Sequence, residues 1–272
     1  MTVSILVGDC REKLRELADG SVNCIVTSPP YWGAQRDYGM PGQLGMETTP
    51  ETFAGSLVEV FDECRRVLRD DGSFWLNLGD SYAASGKGGG GKLMAKRGGK
   101  WDHRKHLTGW RNAPPGYKQK DLVGVPWLVA TKLRTAGWYL RRDVVWNKGS
   151  ATEPTRADRP AGSHEMLFLF SKNKDYHFDV SKLPHGTVWT VSPRGYDGHS
   201  AAFPPDLIEP CIAASCPPGG TVLDPFGGAG TTGLVADRLR LNAILIELNP
   251  EFAELAEQRI AADRGMFTDE AA

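Results

Sequence analysis

The stretch Thr221-Val222-Leu223-Asp224-Pro225-Phe226-Gly227-Gly228-Ala229-Gly230-Thr231-Thr232-Gly233 decides the fold. It opens as a short apolar strand, passes through a glycine-rich loop and leads into residues 231–240, which read as a helix. Glycines let a backbone turn tightly and let a ligand come close. The next apolar run, residues 243–247, reads as a strand and ends on Glu247. Open α/β sheets bind ligands at the carboxyl ends of their strands, so Glu247 stands where a carboxylate accepts hydrogen bonds from ribose hydroxyls. The glycine spacing is not GxGxxG and no Gly-Lys-Ser/Thr follows, which disfavours nicotinamide dinucleotides and nucleoside triphosphates. Taken by itself the loop also fits an ordinary strand-to-helix turn.

Outward from this stretch, helices alternate with strands, the pattern of a parallel α/β sheet. Strands are expected at 3–7, 22–27, 73–78, 138–146, 166–171 and 221–223, and helices at 10–18, 50–69, 125–136, 203–216 and after Asn249-Pro250. Thr49 can cap the helix at 50–69, Pro50 suits its first position, and Phe53, Leu57, Phe61, Cys64 and Leu68 form its apolar stripe. Residues 147–165 read as a loop, and 265–272 as a frayed tail.

The chain has 272 residues, 40% of them hydrophobic and 24% charged, the composition of a globular protein. No apolar run approaches a membrane span, and the N-terminus reads as lacking a signal peptide. Five cysteines without a CxxC pair indicate reduced thiols in a cytoplasm, neither a disulfide framework nor a zinc cluster, and no metal is expected. The net charge of −1 conceals an asymmetry. Residues 81–120 hold ten Lys or Arg against Asp102 alone, together with nine glycines. Such a segment reads as a long flexible insertion.

A second motif is Thr27-Ser28-Pro29-Pro30-Tyr31-Trp32. Two prolines end the strand 22–27, because they cannot continue a ladder, and they leave carbonyls free to point outward. Tyr31 offers a flat face for a base. Alone, the tripeptide Pro-Pro-Tyr also fits a turn with core aromatics.

With both motifs in one chain, the sequence resembles the beta class of amino-methylating DNA methyltransferases, the cytosine-N4 and adenine-N6 family. That family's hallmarks are a D/S-P-P-Y catalytic loop and a D-P-F-x-G-x-G-T-T cofactor loop, which stand here at Ser28–Tyr31 and Asp224–Thr232 in the beta-class order. Gly8-Asp9, Asp158-Arg159-Pro160, Ser163-His164-Glu165 and His199–Pro204 also resemble it. The resemblance implies a Rossmann-like, circularly permuted sheet of seven mostly parallel strands, one of them antiparallel, and S-adenosyl-L-methionine as cofactor. It implies that Asp224, Pro225, Phe226, Gly227, Gly228, Gly230, Thr231 and Thr232 wrap the methionine moiety. Glu247 would hold the ribose, Asp9 and Cys10 the adenine side, and His199 and Phe203 would close the pocket. Ser28, Pro29, Pro30 and Tyr31 would receive the target base, with Ser28 favouring cytosine N4 over adenine N6.

The partner implied is double-stranded DNA, as in restriction-modification enzymes of bacterial or phage type; family members are often dimers. Lys87, Lys92, Lys96, Arg97, Lys100, Arg104 and Lys105 of the insertion would then bind phosphates, and Trp101, Trp110 and Tyr117 could stack on bases. Residues 148–198 are a second candidate for reading the target. His164, His177 and His185 read as ordinary surface or hydrogen-bonding residues. Pro210-Cys211 resembles a cytosine carbon-5 nucleophile, but Cys211 falls in an apolar helix and reads as core. RNA or protein methylation, and a catalytically dead DNA-binding module, remain as alternatives.

Overall fold

The computed structural model describes residues 1–33, 40–84, 112–150, 157–193 and 203–268, with side chains to 264. Eight strands form one sheet: β1 (Val3–Val7), β2 (Val22–Thr27), β3 (Leu68–Leu78), β4 (Tyr139–Asn147), β5 (His164–Ser171), β6 (Val188–Thr190), β7 (Thr221–Asp224) and β8 (Asn242–Glu247). Their spatial order is β1-β8-β7-β2-β3-β5-β4-β6. All neighbours pair in parallel except β5, which runs antiparallel to both β3 and β4. The mostly parallel sheet with one reversed strand is the one expected. β6 is an additional eighth strand, too short to stand out in the sequence, which pairs with β4 through Val145↔Val188 to Asn147↔Thr190.

Period-2 alternation sends successive side chains to opposite faces. Ile25, Phe74 and Leu76 join the core under α1 (Cys10–Lys13), α2 (Pro50–Val67) and α3 (Val125–Thr135). Cys24, Val26 and Trp75 join the core under α4 (Pro205–Ser215) and α5 (Thr231–Arg238), with Ile260 of α6 (Pro250–Thr268). α2 begins where its sequence places it. The Thr49 hydroxyl accepts from the Thr52 backbone N–H at 3.1 Å and Pro50 occupies the first turn.

Several boundaries differ from expectation, among them the first helix, which ends at Lys13 and continues as a 3-10 turn only to Glu16. β3 is extended from Leu68, but its pairing with β2 jumps from Val22↔Leu68 to Cys24↔Ser73, so Asp71-Gly72 sits in a bulge and regular pairing starts at Ser73. β5 starts at His164, inside the stretch read as loop, because its first residues pair with the end of β4. α6 continues to Thr268, beyond the start of the expected tail. Two crossed ion pairs tie α6 to α5: Arg238 to Asp263 at 2.6 Å and Arg264 to Asp237 at 2.6 Å.

Candidate active site

A cavity of about 750 Å³ opens at the carboxyl edge of the parallel strands. One half is walled by Asp9 and Cys10 after β1, Phe226 and Gly228 after β7, and Glu247 with Leu248, Asn249 and Phe252 after β8. The other half is walled by Ser28–Tyr31 after β2, Asp80 and Tyr82 after β3, and Trp146, Lys148, His164 and Glu165 at the β4–β5 end. The two motifs, far apart in the chain, therefore face one continuous space.

Glu247 is fixed by backbone donors. The Gly228 N–H donates to its Oε2 at 2.7 Å and the Asn249 N–H to its Oε1 at 2.8 Å. Each carboxylate oxygen has further lone pairs, so both can still accept from a ligand. Burial pushes the Glu247 carboxyl above its ordinary pKa, against the pull of these N–H groups. Asp9 caps α1 by accepting from the Arg11 N–H at 2.9 Å, and the Arg11 Nε donates to the same oxygen at 2.9 Å. The guanidinium holds the Asp9 carboxyl below its ordinary range.

Asp224 behaves differently. Its side chain is buried: Oδ1 accepts from Thr27 Oγ1 at 2.5 Å and the Phe226 N–H at 3.0 Å, and Oδ2 accepts from Thr232 Oγ1 at 2.6 Å. Desolvation pushes the carboxyl up to about 6. These bonds join the ends of β2 and β7 to the start of α5, so Asp224 positions the loop from behind and is absent from the cavity wall. The glycines divide likewise. A Cβ on Gly227 would lie 3.0 Å from Leu245 Cβ, and one on Gly230 only 2.6 Å from Ala256 Cβ. They permit α5 to pack on β8 and α6, and Gly228 is the loop glycine that lines the cavity. Thr231 Oγ1, in the first turn of α5, is buried without a hydrogen-bond partner.

In the other half, the Tyr31 ring is locked at its edge and at its tip. A Cβ on Gly79 would sit 2.5 Å from Tyr31 Cε2, so only glycine admits the ring there. The Tyr31 hydroxyl donates to Glu165 Oε2 at 2.6 Å and lies 3.2 Å from Asn77 Oδ1. Trp32, buried, anchors the far end of the loop: its indole N–H donates to the Glu47 carbonyl at 2.9 Å, and its carbonyl accepts from Ser81 Oγ at 2.9 Å. Ser28 faces the cavity. Asp80 accepts from the N–H groups of Ser81, Gly124 and Val125 at 2.8–3.1 Å, capping α3, and burial raises its pKa.

A family model described as DNA methylase matches residues 22–258. The chain belongs to the DNA methylase family. The Type II methyltransferase M.XycI of Xanthomonas campestris pv. cyanopsidis is 44% identical, over 94% of this chain and 87% of its own length. The Thermus thermophilus protein TTHA0409, in complex with S-adenosyl-L-methionine, is 25% identical with a TM-score of 0.66, covering 97% of this chain and 96% of that one. PvuII DNA methyltransferase superposes with a TM-score of 0.70 over 97% of this chain and 91% of that one, at 22% identity, a likeness of fold alone.

Placed on this methylase, the sequence-derived residues separate into groups. Ser28–Tyr31, Asp9, Cys10, Pro225, Phe226, Gly228 and Glu247 line the cavity. Asp224, Gly227, Gly230, Thr231 and Thr232 stand behind it. Phe203 is buried in the cluster around α4 and not on the wall, because the helix it precedes packs on the sheet. Cys211 is buried in the same cluster, its thiol donating to the Leu207 carbonyl at 3.5 Å, and burial drives its pKa well up. His199 and the insertion residues Lys87, Lys92, Lys96, Arg97, Lys100, Trp101, Arg104, Lys105 and Trp110 lie outside the described residues. Tyr117 donates to Glu51 Oε1 at 2.8 Å at the start of α2. Of the segment 148–198, residues 164–171 and 188–190 are sheet strands.

Lys148, Glu165, Asp80, Gly79 and Phe252 are wall or support residues that the sequence reading did not assign to the site. Asp80 had a signal, since it follows its strand as Asp9 follows β1. Lys148 had none, because its place depends on the pairing of β4 with β5.

Proposed function

We propose that this methylase transfers a methyl group from S-adenosyl-L-methionine to N4 of a cytosine in double-stranded DNA, after the base has left the helical stack. The observation that carries the reading is the single cavity walled by Ser28–Tyr31 on one side and by Gly228 and Glu247 on the other.

The residues fit the cofactor. Glu247 keeps acceptor capacity for ribose hydroxyls, and Phe226, Leu248 and Phe252 offer apolar surface for an adenine. The complex of the relative TTHA0409 with S-adenosyl-L-methionine supports the same assignment. S-adenosyl-L-methionine supplies an electrophilic methyl carbon on a sulfonium.

The protein's task is positioning. An exocyclic amine is a poor nucleophile because its lone pair is delocalised into the ring. The Ser28 hydroxyl and the Pro29 carbonyl accept its two N–H bonds and turn the nitrogen toward tetrahedral geometry, with the lone pair facing the methyl. Holding the two reactants in line supplies most of the acceleration; as the N–C bond forms, the methyl–sulfur bond would break to leave S-adenosyl-L-homocysteine, and the amine's surplus proton would be lost to water. A duplex base cannot reach this depth, so it is extruded and received against the Tyr31 ring. Serine before Pro-Pro-Tyr, where an acid or Asn tends to accompany adenine, favours cytosine. The basic stretch 81–120 supplies phosphate contacts, and the loops within 148–198 read the target sequence.

The test is to incubate unmethylated DNA with the full chain and S-adenosyl-L-methionine and to identify the modified nucleoside by mass spectrometry. N4-methylcytosine is expected. N6-methyladenine alone would overturn the choice of base, and absence of both together with absence of cofactor binding would overturn the enzyme.

A further inference from the structure

Lys148 is the only lysine or arginine among the described residues that line the cavity. It follows the last residue of β4, and its backbone N–H donates to the Ser163 carbonyl at 2.8 Å, so its position is set by the sheet. Its ammonium pairs with Glu165 Oε1, and it lies 4.8 Å from the centre of the Trp146 ring. Both members of the pair are largely withdrawn from water, with side chains 12% and 13% exposed. Glu165 Oε2 accepts a 2.6 Å hydrogen bond from the Tyr31 hydroxyl. Phenol, carboxylate and ammonium thus form one chain along the wall of the base half.

Such a pair needs a reason beyond stability. Taking two charges out of water is expensive, and apolar replacements of buried pairs are often neutral or stabilising. Anchoring Tyr31 would need Glu165 alone. What the lysine adds is a donor facing the cavity. An ammonium carries three N–H bonds, and Glu165 takes one. Three neighbouring donors on this wall are committed or peripheral. The Tyr31 hydroxyl is given to Glu165, the Trp146 indole N–H to the Val191 carbonyl at 2.8 Å, and His164 is exposed.

A base that leaves the duplex loses its pairing partner. Beside the amine of cytosine stands N3, a ring acceptor that is stripped of its donor on extrusion, and an acceptor left unmade in a closed pocket is costly. We propose that Lys148 donates to this ring nitrogen, so that the base is held by two neighbouring groups on one edge, amine to Ser28 and Pro29, N3 to Lys148; because Ser28 and Pro29 turn the amine lone pair out of conjugation, the charge beside N3 draws little from it. The third hydrogen bond, from a second point on the edge, fixes the base's rotation in the plane of the Tyr31 ring more firmly than the amine's two bonds, which share one nitrogen. Glu165 aims the ammonium and the phenol together. This assignment rests on the methyltransferase reading and names the donor that positions the base in that same site.

The experiment crosses enzyme variants with a substrate lacking the acceptor. The methylated site is located by sequencing wild-type product, and duplexes are made with cytosine or 3-deazacytosine at the target. Wild type is expected to lose roughly 10- to 100-fold in kcat/KM on 3-deazacytosine, the range of a hydrogen bond to a charged group. Lys148→Met should lose a similar factor on cytosine and almost nothing more on 3-deazacytosine. Lys148→Arg should restore part of the discrimination. S-adenosyl-L-methionine affinity, measured by calorimetry, should be unchanged in both variants.

A purely structural lysine would depress both substrates equally and preserve the wild-type ratio, and that result overturns the inference while leaving the cytosine reading intact. If Lys148→Met does not fold, the same ratio is read in Lys148→Arg and Lys148→Gln. Wild type that methylates only adenine fails the cytosine reading and this assignment together.

Discussion

Thr27 and Asp224 stand 197 residues apart and share a buried 2.5 Å hydrogen bond, from the threonine hydroxyl to Asp224 Oδ1. Thr27 is the residue before the Ser28–Tyr31 loop, and Asp224 is the first residue of the glycine-rich loop. The bond makes the two halves of the site one rigid unit. β2 and β7 pair directly only through Cys24↔Val222 and Ile25↔Leu223, so beyond the ladder this bond holds their ends in step.

Asp224 makes stability depend on pH. Its carboxyl is held at about 6 by burial, above its ordinary 3.8. A raised carboxyl pKa means that the folded protein binds a proton the unfolded chain has already lost. The contribution to stability is therefore fully present below about pH 4 and declines as pH rises through about 6, by of order 1–3 kcal/mol. Asp224→Asn removes this titration. Urea melts of both proteins at pH 5 and pH 8 should show the wild type losing more stability than the variant over that interval; equal losses would refute the assignment.

Gly79→Ala places a methyl 2.5 Å from the Tyr31 ring. The ring must move, and misplacing a positioning group by a fraction of an ångström to an ångström costs up to about 100-fold in rate. The expected outcome is a fall in kcat with S-adenosyl-L-methionine affinity unchanged, because Gly79 lies in the other half of the cavity from Glu247. Steady-state kinetics and calorimetry separate the two quantities, and an unaltered kcat would show that the ring position is unimportant.

Glu247→Gln keeps the shape of the side chain but turns an amide NH₂ toward one of the two backbone N–H groups that bind it. Cofactor affinity should fall roughly 10- to 100-fold, the value of one or two charge-assisted hydrogen bonds. DNA affinity without cofactor should stay within a factor of about two, reflecting a phosphate-dominated term that this residue does not touch. Fluorescence titration with each ligand checks both.

Deleting residues 86–112 removes most of the cations of the insertion. DNA binding should weaken, and the slope of log affinity against log salt should become shallower by about 0.9 for each phosphate that the shortened chain no longer neutralises. Cofactor binding should be spared. An unchanged salt slope would assign the DNA contacts elsewhere.

Much of this architecture was legible locally. Thr49-Pro50, the Pro-Pro after Thr27 and the glycines after Asp224 are residues whose backbone chemistry marks a boundary wherever they stand. β6 escaped notice because three residues of an edge strand carry no period. The site divided in the same way. Ser28, Tyr31 and Glu247 carry their meaning in motifs, whereas Asp224 read as a ligand-side residue and proved to be a buried tie, since a sequence does not say which way a side chain turns. Gly227 and Gly230 make room for Leu245 and Ala256. Lys148 was invisible because its importance lies in facing Glu165 across a strand pairing.

The reversed direction of β5 has one more consequence. A strand that runs against its neighbours begins where they end, so the connection from Lys148 to Ser163 leaves and returns at the same edge, its two ends clasped by the Lys148–Glu165 pair and by the bond from the Lys148 N–H to the Ser163 carbonyl. Such a segment is a detachable module. Because both ends are fixed by pairing and by this pair of contacts, a change in its length need not shift the register of β4 or β5, so this edge can be re-engineered while the strands below stay in place.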